Sequence, residues 1–153
     1  MHEADESYMG YFDAANLILL LNALLESERA VARLALAIAN EANAGPIAEL
    51  MQSVHTDEAH CCALLNEHIT RLGGMASDKI DSFHEEAMAI VDFRERILFL
   101  NRCQSRVVRT LTETLPRVRD DKLRLDLAAM LGTHEANIAR ANDVADNVAS
   151  GSA

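Results

Sequence analysis

The stretch LLESERAVAR at residues 24–33 places one carboxylate, Glu28, in the middle of an apolar pattern. The apolar positions step by four and then three residues, which is the spacing of one face of an α-helix. They are Leu17, Leu21, Leu24, Val31, Ala35 and Ile38. A carboxylate on a core-facing helix costs several kcal/mol unless it is paired, protonated or bound to a metal ion. The stretch therefore predicts a helix and, with it, a polar group in the protein core.

Two later segments repeat this arrangement. Glu58 interrupts an apolar face within DEAHCCALL at residues 57–65, and His134 interrupts another at the start of HEANIAR at residues 134–140. Their apolar neighbours are Ile47, Met51, Val54, Cys61 and Leu65 in the first case, and Leu123, Leu127, Met130, Ala141 and Val144 in the second. Each polar residue lies near the middle of its segment. We therefore expect the polar groups to meet at one level of the packed helices.

A fourth segment extends the polar level. Its predicted inward face reads Ile97, Asn101, Gln104, Val108, Leu111 and Leu115, so its middle offers two amides. On the segment of His134, Asn137 lies three residues further along the same face. Polar groups on four helices at one height predict either a buried hydrogen-bond network or a ligand site.

Two prolines and six glycines in 153 residues fall between the periodic segments and delimit them. The predicted helices span about residues 13–40, 47–72, 92–115 and 120–148. The third could begin at Ser82 or at Asp92, because each has a glutamate three residues later, as in a capping box. A start at Asp92 gives four helices of matched length, with residues 73–91 as a crossover connection. A shorter link with a longer third helix is the alternative.

The expected fold is therefore all-α: a single domain over residues 1–153, with a short N-terminal extension and an antiparallel four-helix bundle.

The net charge of −10 disfavours nucleic acid as a partner. There is no basic secretion signal and no apolar run of about 20 residues, which predicts a cytoplasmic protein without membrane contact. Three cysteines, two of them adjacent, do not form a disulfide framework.

The quoted stretches around Glu28, Glu58 and His134 resemble the ferritin-like superfamily of ferritins and rubrerythrins. The similarity covers most of the chain and is greatest to an uncharacterised bacterial ferritin-like family of unknown function. In iron-binding members the four helices supply Glu, Glu-x-x-His, Glu and Glu-x-x-His. The resemblance thus implies a ferritin-like bundle with a long crossover between the second and third helices.

Carried over residue by residue, the resemblance gives a partial ligand set. Glu28 and Glu58 occupy glutamate positions, whereas Cys61 stands where the second helix would carry histidine. Asn101 stands at the third-helix glutamate. On the fourth helix, His134 and Asn137 occupy the positions of glutamate and histidine. Two of the six ligands match by type.

The candidate metal ligands are Glu28, Glu58, Cys61 and His134, with Asn101, Asn137 and His55 as further candidates. They suit iron, manganese or zinc. The alternative without a metal ion is a buried hydrogen-bond network in which Glu28 and Glu58 share His134. No catalytic residue or other cofactor site is predicted.

Three functions remain open from the sequence. The first is a ferritin-like protein with a degenerate polar centre that is non-catalytic or binds at most one metal ion. The second is an iron- or manganese-dependent oxidoreductase or metal-handling protein with a rubrerythrin-like centre. The third is an interaction module that uses Arg102, Arg106 and Arg109, which share one helix face.

We also expect a homodimer, because apolar residues lie beyond the main apolar faces of the helices, among them Leu20, Leu36, Leu98 and Leu100.

Overall fold

The computed structural model describes residues 10–149, with only the backbone described for Ala149, and in that range the chain is all-helical without a strand. Five helices follow one another: α1 (Ala14–Ala42), α2 (Pro46–Arg71), α3 (Phe83–Met88), α4 (Phe93–Thr114) and α5 (Asp121–Ala149). The four long helices begin and end within two residues of the expected bounds. Most of the expected N-terminal extension, residues 1–9, lies outside the described part of the chain.

The four long helices pack around a common core. The closest pairs are α1 with α2 and α4 with α5, and α1 also contacts α4 while α2 contacts α5. Within each close pair a short connection reverses the chain, residues 43–45 in one and 115–120 in the other, so the paired helices run antiparallel. No helix of the described residues has an apolar stretch long enough to cross a membrane.

The connection between α2 and α4 runs along α1. The carbonyl of Met75 accepts a hydrogen bond from Asn22 at 3.0 Å, and the Ser77 hydroxyl donates to Glu26 at 2.7 Å. At the far end, Arg96 in the first turns of α4 forms an ion pair with Glu41 near the end of α1. Because α4 therefore starts beside the C-terminal end of α1, these two helices also run antiparallel.

The structure decides between the two possible starts of the third long helix. The Asp92 carboxylate accepts a hydrogen bond from the Glu95 amide at 2.9 Å and caps α4. Asp13 caps α1 in the same way, through the Asn16 amide at 2.8 Å. Ser82 only precedes the short α3 and makes no capping bond with its side chain. The start near Asp92 is thus confirmed, since a capping side chain satisfies a free amide of the first turn.

The apolar core is divided into two clusters by the polar level. One cluster contains Val31, Ile38, Met51, Val54, Ile97, Leu100 and Ala141. The other contains Leu21, Leu24, Leu65, Val107, Leu111, Leu123 and Leu127. Along each long helix, the residues between the clusters include a buried polar side chain: Glu28, Glu58, Gln104 and His134. Leu100, expected to lie beyond the main stripe, is instead fully buried.

Candidate metal centre

Four side chains that can bind a metal ion converge between the two apolar clusters. Glu28 comes from α1, Glu58 and Cys61 from α2, and His134 from α5, and one ligand atom of each lies within 4.8 Å of the others. All four are buried, with at most 3 % of their surface exposed. Glu58 and Cys61 meet at the centre because residues three apart lie on neighbouring parts of a helix face.

His134 is the hub of these contacts. Its Nε2 lies 2.8 Å from Glu28 Oε2, and its Nδ1 lies 3.1 Å from Glu58 Oε1 and 3.3 Å from Gln104 Oε1. Both ring nitrogens therefore face oxygen atoms. This favours the imidazolium form, in which both nitrogens carry a proton and can donate.

The protein groups leave several polar atoms of this layer without a hydrogen bond. These atoms are Glu28 Oε1, both carboxyl oxygens of Glu58, Asn101 Oδ1 and Gln104 Nε2. Glu58 Oε1 lies 3.1 Å from His134 Nδ1 in an ion-pair contact, and Gln104 Oε1 competes for the same nitrogen at 3.3 Å. An unpaired buried polar group costs about 1–3 kcal/mol, and more when it is charged.

Burial and mutual charge determine where the protons lie. Burial raises the pKa of Glu58 well above its ordinary value, and the Glu28 carboxylate raises it further, against the opposing effect of His134. Burial alone would lower the pKa of His134, but its contacts with Glu28 and Glu58 outweigh this and raise the pKa to about 10. Without a metal ion, the centre therefore holds a neutral Glu58 and a charged His134.

The cysteines near the centre are thiols rather than thiolates in the absence of a metal ion. Burial, reinforced by Glu28 and Glu58, raises the pKa of Cys61 far above its ordinary range. The same causes raise the pKa of Cys62 to about 12. A bound cation reverses this effect, because a coordinating thiol loses its proton. Cys103 is also buried but belongs to the other apolar cluster.

The three further candidate ligands make their hydrogen bonds away from His134 and the two glutamates. Asn101 donates to Asn142 Oδ1 at 2.8 Å and to the carbonyl of Ile138. Asn137 donates to Asp57 at 3.2 Å. His55 is half-buried, and its Nδ1 lies 3.0 Å from the carbonyl oxygen of Ala32. The amide that α4 directs at His134 is that of Gln104, so the expectation that Asn101 meets the centre is corrected.

His68 is a buried histidine that the sequence pattern did not single out. It is fully buried near the end of α2. Its Nε2 lies 2.6 Å from Asp126 Oδ2, and Arg71 donates to its Nδ1 at 2.9 Å. The available signal was the continuation of the stripe from Cys61 through Leu65 to His68. These contacts join the end of α2 to the start of α5.

The basic face expected on the third long helix is present. Arg102, Arg106 and Arg109 are all exposed on α4. The guanidinium groups of Arg102 and Arg106 lie over the rings of Phe99 and Phe83, at 5.4 and 5.8 Å from the ring centroids. Such cation–π contacts hold the arginines against the protein surface.

The fold and the site define a class of protein: an all-α bundle with a buried cluster of two glutamates, one cysteine and one histidine. The chain belongs to the family described as "Domain of unknown function (DUF6306)", whose profile matches residues 15–144. That range includes all four residues of the cluster. Comparisons with curated proteins and with solved structures found no match.

The donor set fits one metal ion but not the two-ion centre that the ferritin-like resemblance implies. Ligands at 2.0–2.3 Å from one tetrahedral zinc ion are about 3.5 Å apart, so donors within 4.8 Å need only a small contraction. Two ions about 3.5–4 Å apart require more donors than these. The amides Gln104 and Asn101 carry no negative charge that would replace the missing carboxylates.

Proposed function

We propose that this protein is a ferritin-like helical bundle that binds one divalent metal ion at its centre without catalysing a reaction. The ligands are Glu28, Glu58, Cys61 and His134. The observation that carries the proposal is the presence of three carboxylate oxygens, buried in the core and without a hydrogen bond, beside a thiol and an imidazole. One cation bound by one oxygen of each glutamate would give Glu28 Oε1 and one Glu58 oxygen a partner.

The helix order supports the ferritin-like part of the proposal. The bundle has two close antiparallel pairs, α1 with α2 and α4 with α5, and a long connection between them. One crossover between two helix pairs is the arrangement of ferritin-like folds. The buried glutamates on α1 and α2 lie where that fold places its metal ligands.

A network of hydrogen bonds alone is the competing explanation, and it accounts for fewer atoms. It explains the contacts of His134 with Glu28 and Glu58, but Glu58 Oε2 then has no neighbouring N–H donor. Protonation of Glu58 lets its hydroxyl donate to the Glu28 carboxylate, but its carbonyl oxygen still depends on His134 alone. A metal ion replaces the protons of Glu58 and His134 and gives each ligand a direct bond.

The nature of the ligands favours zinc over iron or manganese. Thiolate and imidazole together are ligands that zinc accepts readily, whereas manganese prefers oxygen ligands. Four protein ligands also fill a tetrahedral coordination sphere. Structural zinc sites are closed in this way, while catalytic ones keep a position open for water or substrate. The ion would therefore stabilise the bundle by linking α1, α2 and α5.

Metal analysis of the purified protein tests the proposal. From medium that contains zinc, iron and manganese we expect about one equivalent of zinc per chain. Glu58→Gln should abolish most of this binding and the accompanying rise in Tm, because it removes a charged ligand with little change in volume. Glu49→Gln, an exposed glutamate in the first turn of the same helix, is the matched control. Two equivalents of iron would favour the oxidoreductase interpretation, and no metal at all would favour the hydrogen-bond network.

We also infer that the chain forms a homodimer through α1. Leu19 and Leu36 on this helix are large apolar side chains with 68 % and 39 % of their surface exposed. Burial of such side chains against a second copy is the common reason for closed two-fold assembly. Sedimentation at tens of micromolar should give about twice the chain mass of 16.8 kDa, with Leu19→Glu shifting the protein to monomer. A wild-type monomer under these conditions would contradict the inference.

A further inference from the structure

A small surface cavity between α2 and α5 reaches one of the proposed ligands. Its volume is about 160 Å³, and its lining includes Asp57, His60, Cys61, Ala129 and Thr133. This exceeds the volume that a few water molecules occupy, at about 30 Å³ each. Among the lining residues, Cys61 also belongs to the buried cluster. Cys61 is therefore the residue that the cavity and the metal centre share.

The outer part of the cavity carries groups that attract cations. Asp57 is half-buried, and its Oδ2 accepts a hydrogen bond from Asn137 at 3.2 Å, which fixes the carboxylate beside α5. His60 is exposed on the next turn of α2. A carboxylate and an imidazole can hold a divalent ion transiently, and the net charge of −10 favours its approach. From Cys61, a ligand atom of Glu58 lies within 4.8 Å as the next site for the ion.

A second surface cavity differs from the first in the residues that line it. It lies between α1 and α4, and its lining includes Ser27, Cys103 and Arg106. None of the four proposed ligands lines this cavity. A cation that entered there would meet the opposite charges of Asp81 and Arg106 but none of the proposed ligands.

We propose that the cavity between α2 and α5 is the route by which the metal ion reaches the centre. In this mechanism, Asp57 and His60 capture the ion at the surface, and Cys61 is the first ligand of the centre to contact it. The inference rests on the proposed metal binding, but it concerns the rate of loading rather than the affinity. The amount of bound metal therefore tests the metal site, and the rate of loading tests the route.

The rate at which Co²⁺ enters the metal-free protein tests the route, since bound Co²⁺ absorbs visible light and can be followed after rapid mixing. Ala129→Phe fills the cavity and should slow loading roughly tenfold, while the final amount of bound Co²⁺ stays the same. Ala128→Phe is the matched control, because Ala128 is exposed on the same helix but does not line the cavity. We expect its loading rate to equal that of the wild type.

Asp57→Asn tests the capture step without adding volume. Loading should slow about two- to threefold at low salt, and the difference should shrink at high salt, because removal of one charge from the cavity lining weakens electrostatic attraction. This variant also keeps the proposal testable if the larger phenylalanine side chain prevents folding.

The possible outcomes separate the two proposals. Equal loading rates in wild type, Ala129→Phe and Asp57→Asn, with Co²⁺ bound in each, would overturn the route and leave the metal site intact. Loading whose rate is independent of Co²⁺ concentration in all variants would also overturn it, because local unfolding would then limit access. A wild-type protein that binds no Co²⁺ would overturn both the route and the metal site.

Discussion

Replacing His134 by alanine is expected to lower the free energy of unfolding of the metal-free protein by about 3–5 kcal/mol. The side chain is fully buried, and its Nε2 lies 2.8 Å from Glu28 Oε2. Its removal leaves the Glu28 carboxylate in the core without a positive partner and opens a cavity beside Gln104. Loss of one member of a buried ion pair is among the most damaging single changes, because the other charge remains desolvated.

Urea denaturation in the presence of a chelator measures this effect, and His60→Ala is the matched control. His60 is an exposed histidine on α2, so its replacement should change the stability by about 0.5 kcal/mol or less. A double variant provides a second check. Glu28→Leu combined with His134→Leu should recover much of the loss, since both partners of the pair are then apolar. A loss below about 1 kcal/mol for His134→Ala would show that the pair contributes little.

The second large effect is a loss of stability of the metal-free protein as the pH rises from 6.5 to about 10. The pKa of His134 is raised from 6.5 to about 10 on folding, so the folded state holds a proton that the unfolded state releases. The resulting stabilisation is complete below pH 6.5 and is lost as the pH rises through the folded pKa. Its size is on the order of a few kcal/mol.

Glu58 changes the stability of the metal-free protein with pH in the same direction as His134. The pKa of Glu58 is also raised, so the protonated carboxyl is favoured in the folded state and the decline begins above its ordinary value of 4.5. Glu28 supplies the negative charge against His134, and Cys61 stays a neutral thiol. Stability at a series of pH values, measured with a chelator, should fall more steeply in the wild type than in His134→Ala. Equal slopes would contradict the prediction.

Metal binding should reverse this dependence. The ligands must lose their protons to bind an ion, so the affinity for zinc is expected to increase with pH over the range in which the metal-free protein becomes less stable. Both trends have the same cause. The protons on Glu58 and His134 stabilise the folded metal-free protein, and the same protons must be released when zinc binds.

The sequence determined the helices and the face on which the polar groups lie. The step of four and three residues identified the buried side of α1, with Leu21 and Ile38 on it, because a period of 3.6 residues allows one apolar face to meet the core. Asp13 and Asp92 marked helix starts, since a capping carboxylate satisfies a free amide locally. Such signals depend on neighbours within a few residues and can therefore be read from the chain alone.

Only the tertiary structure decided which amide of α4 meets the centre and that His68 of α2 is buried. Asn101 and Gln104 lie on the same predicted face, but they differ by about 4.5 Å along the helix axis and by part of a turn in direction. The packing of α4 against α5 fixes that height and rotation, and it directs Gln104 at His134 and Asn101 at Asn142. His68 is buried for the same reason, because Asp126 of α5 lies beside it. Periodicity defines a face, whereas the register between helices depends on how their side chains interlock.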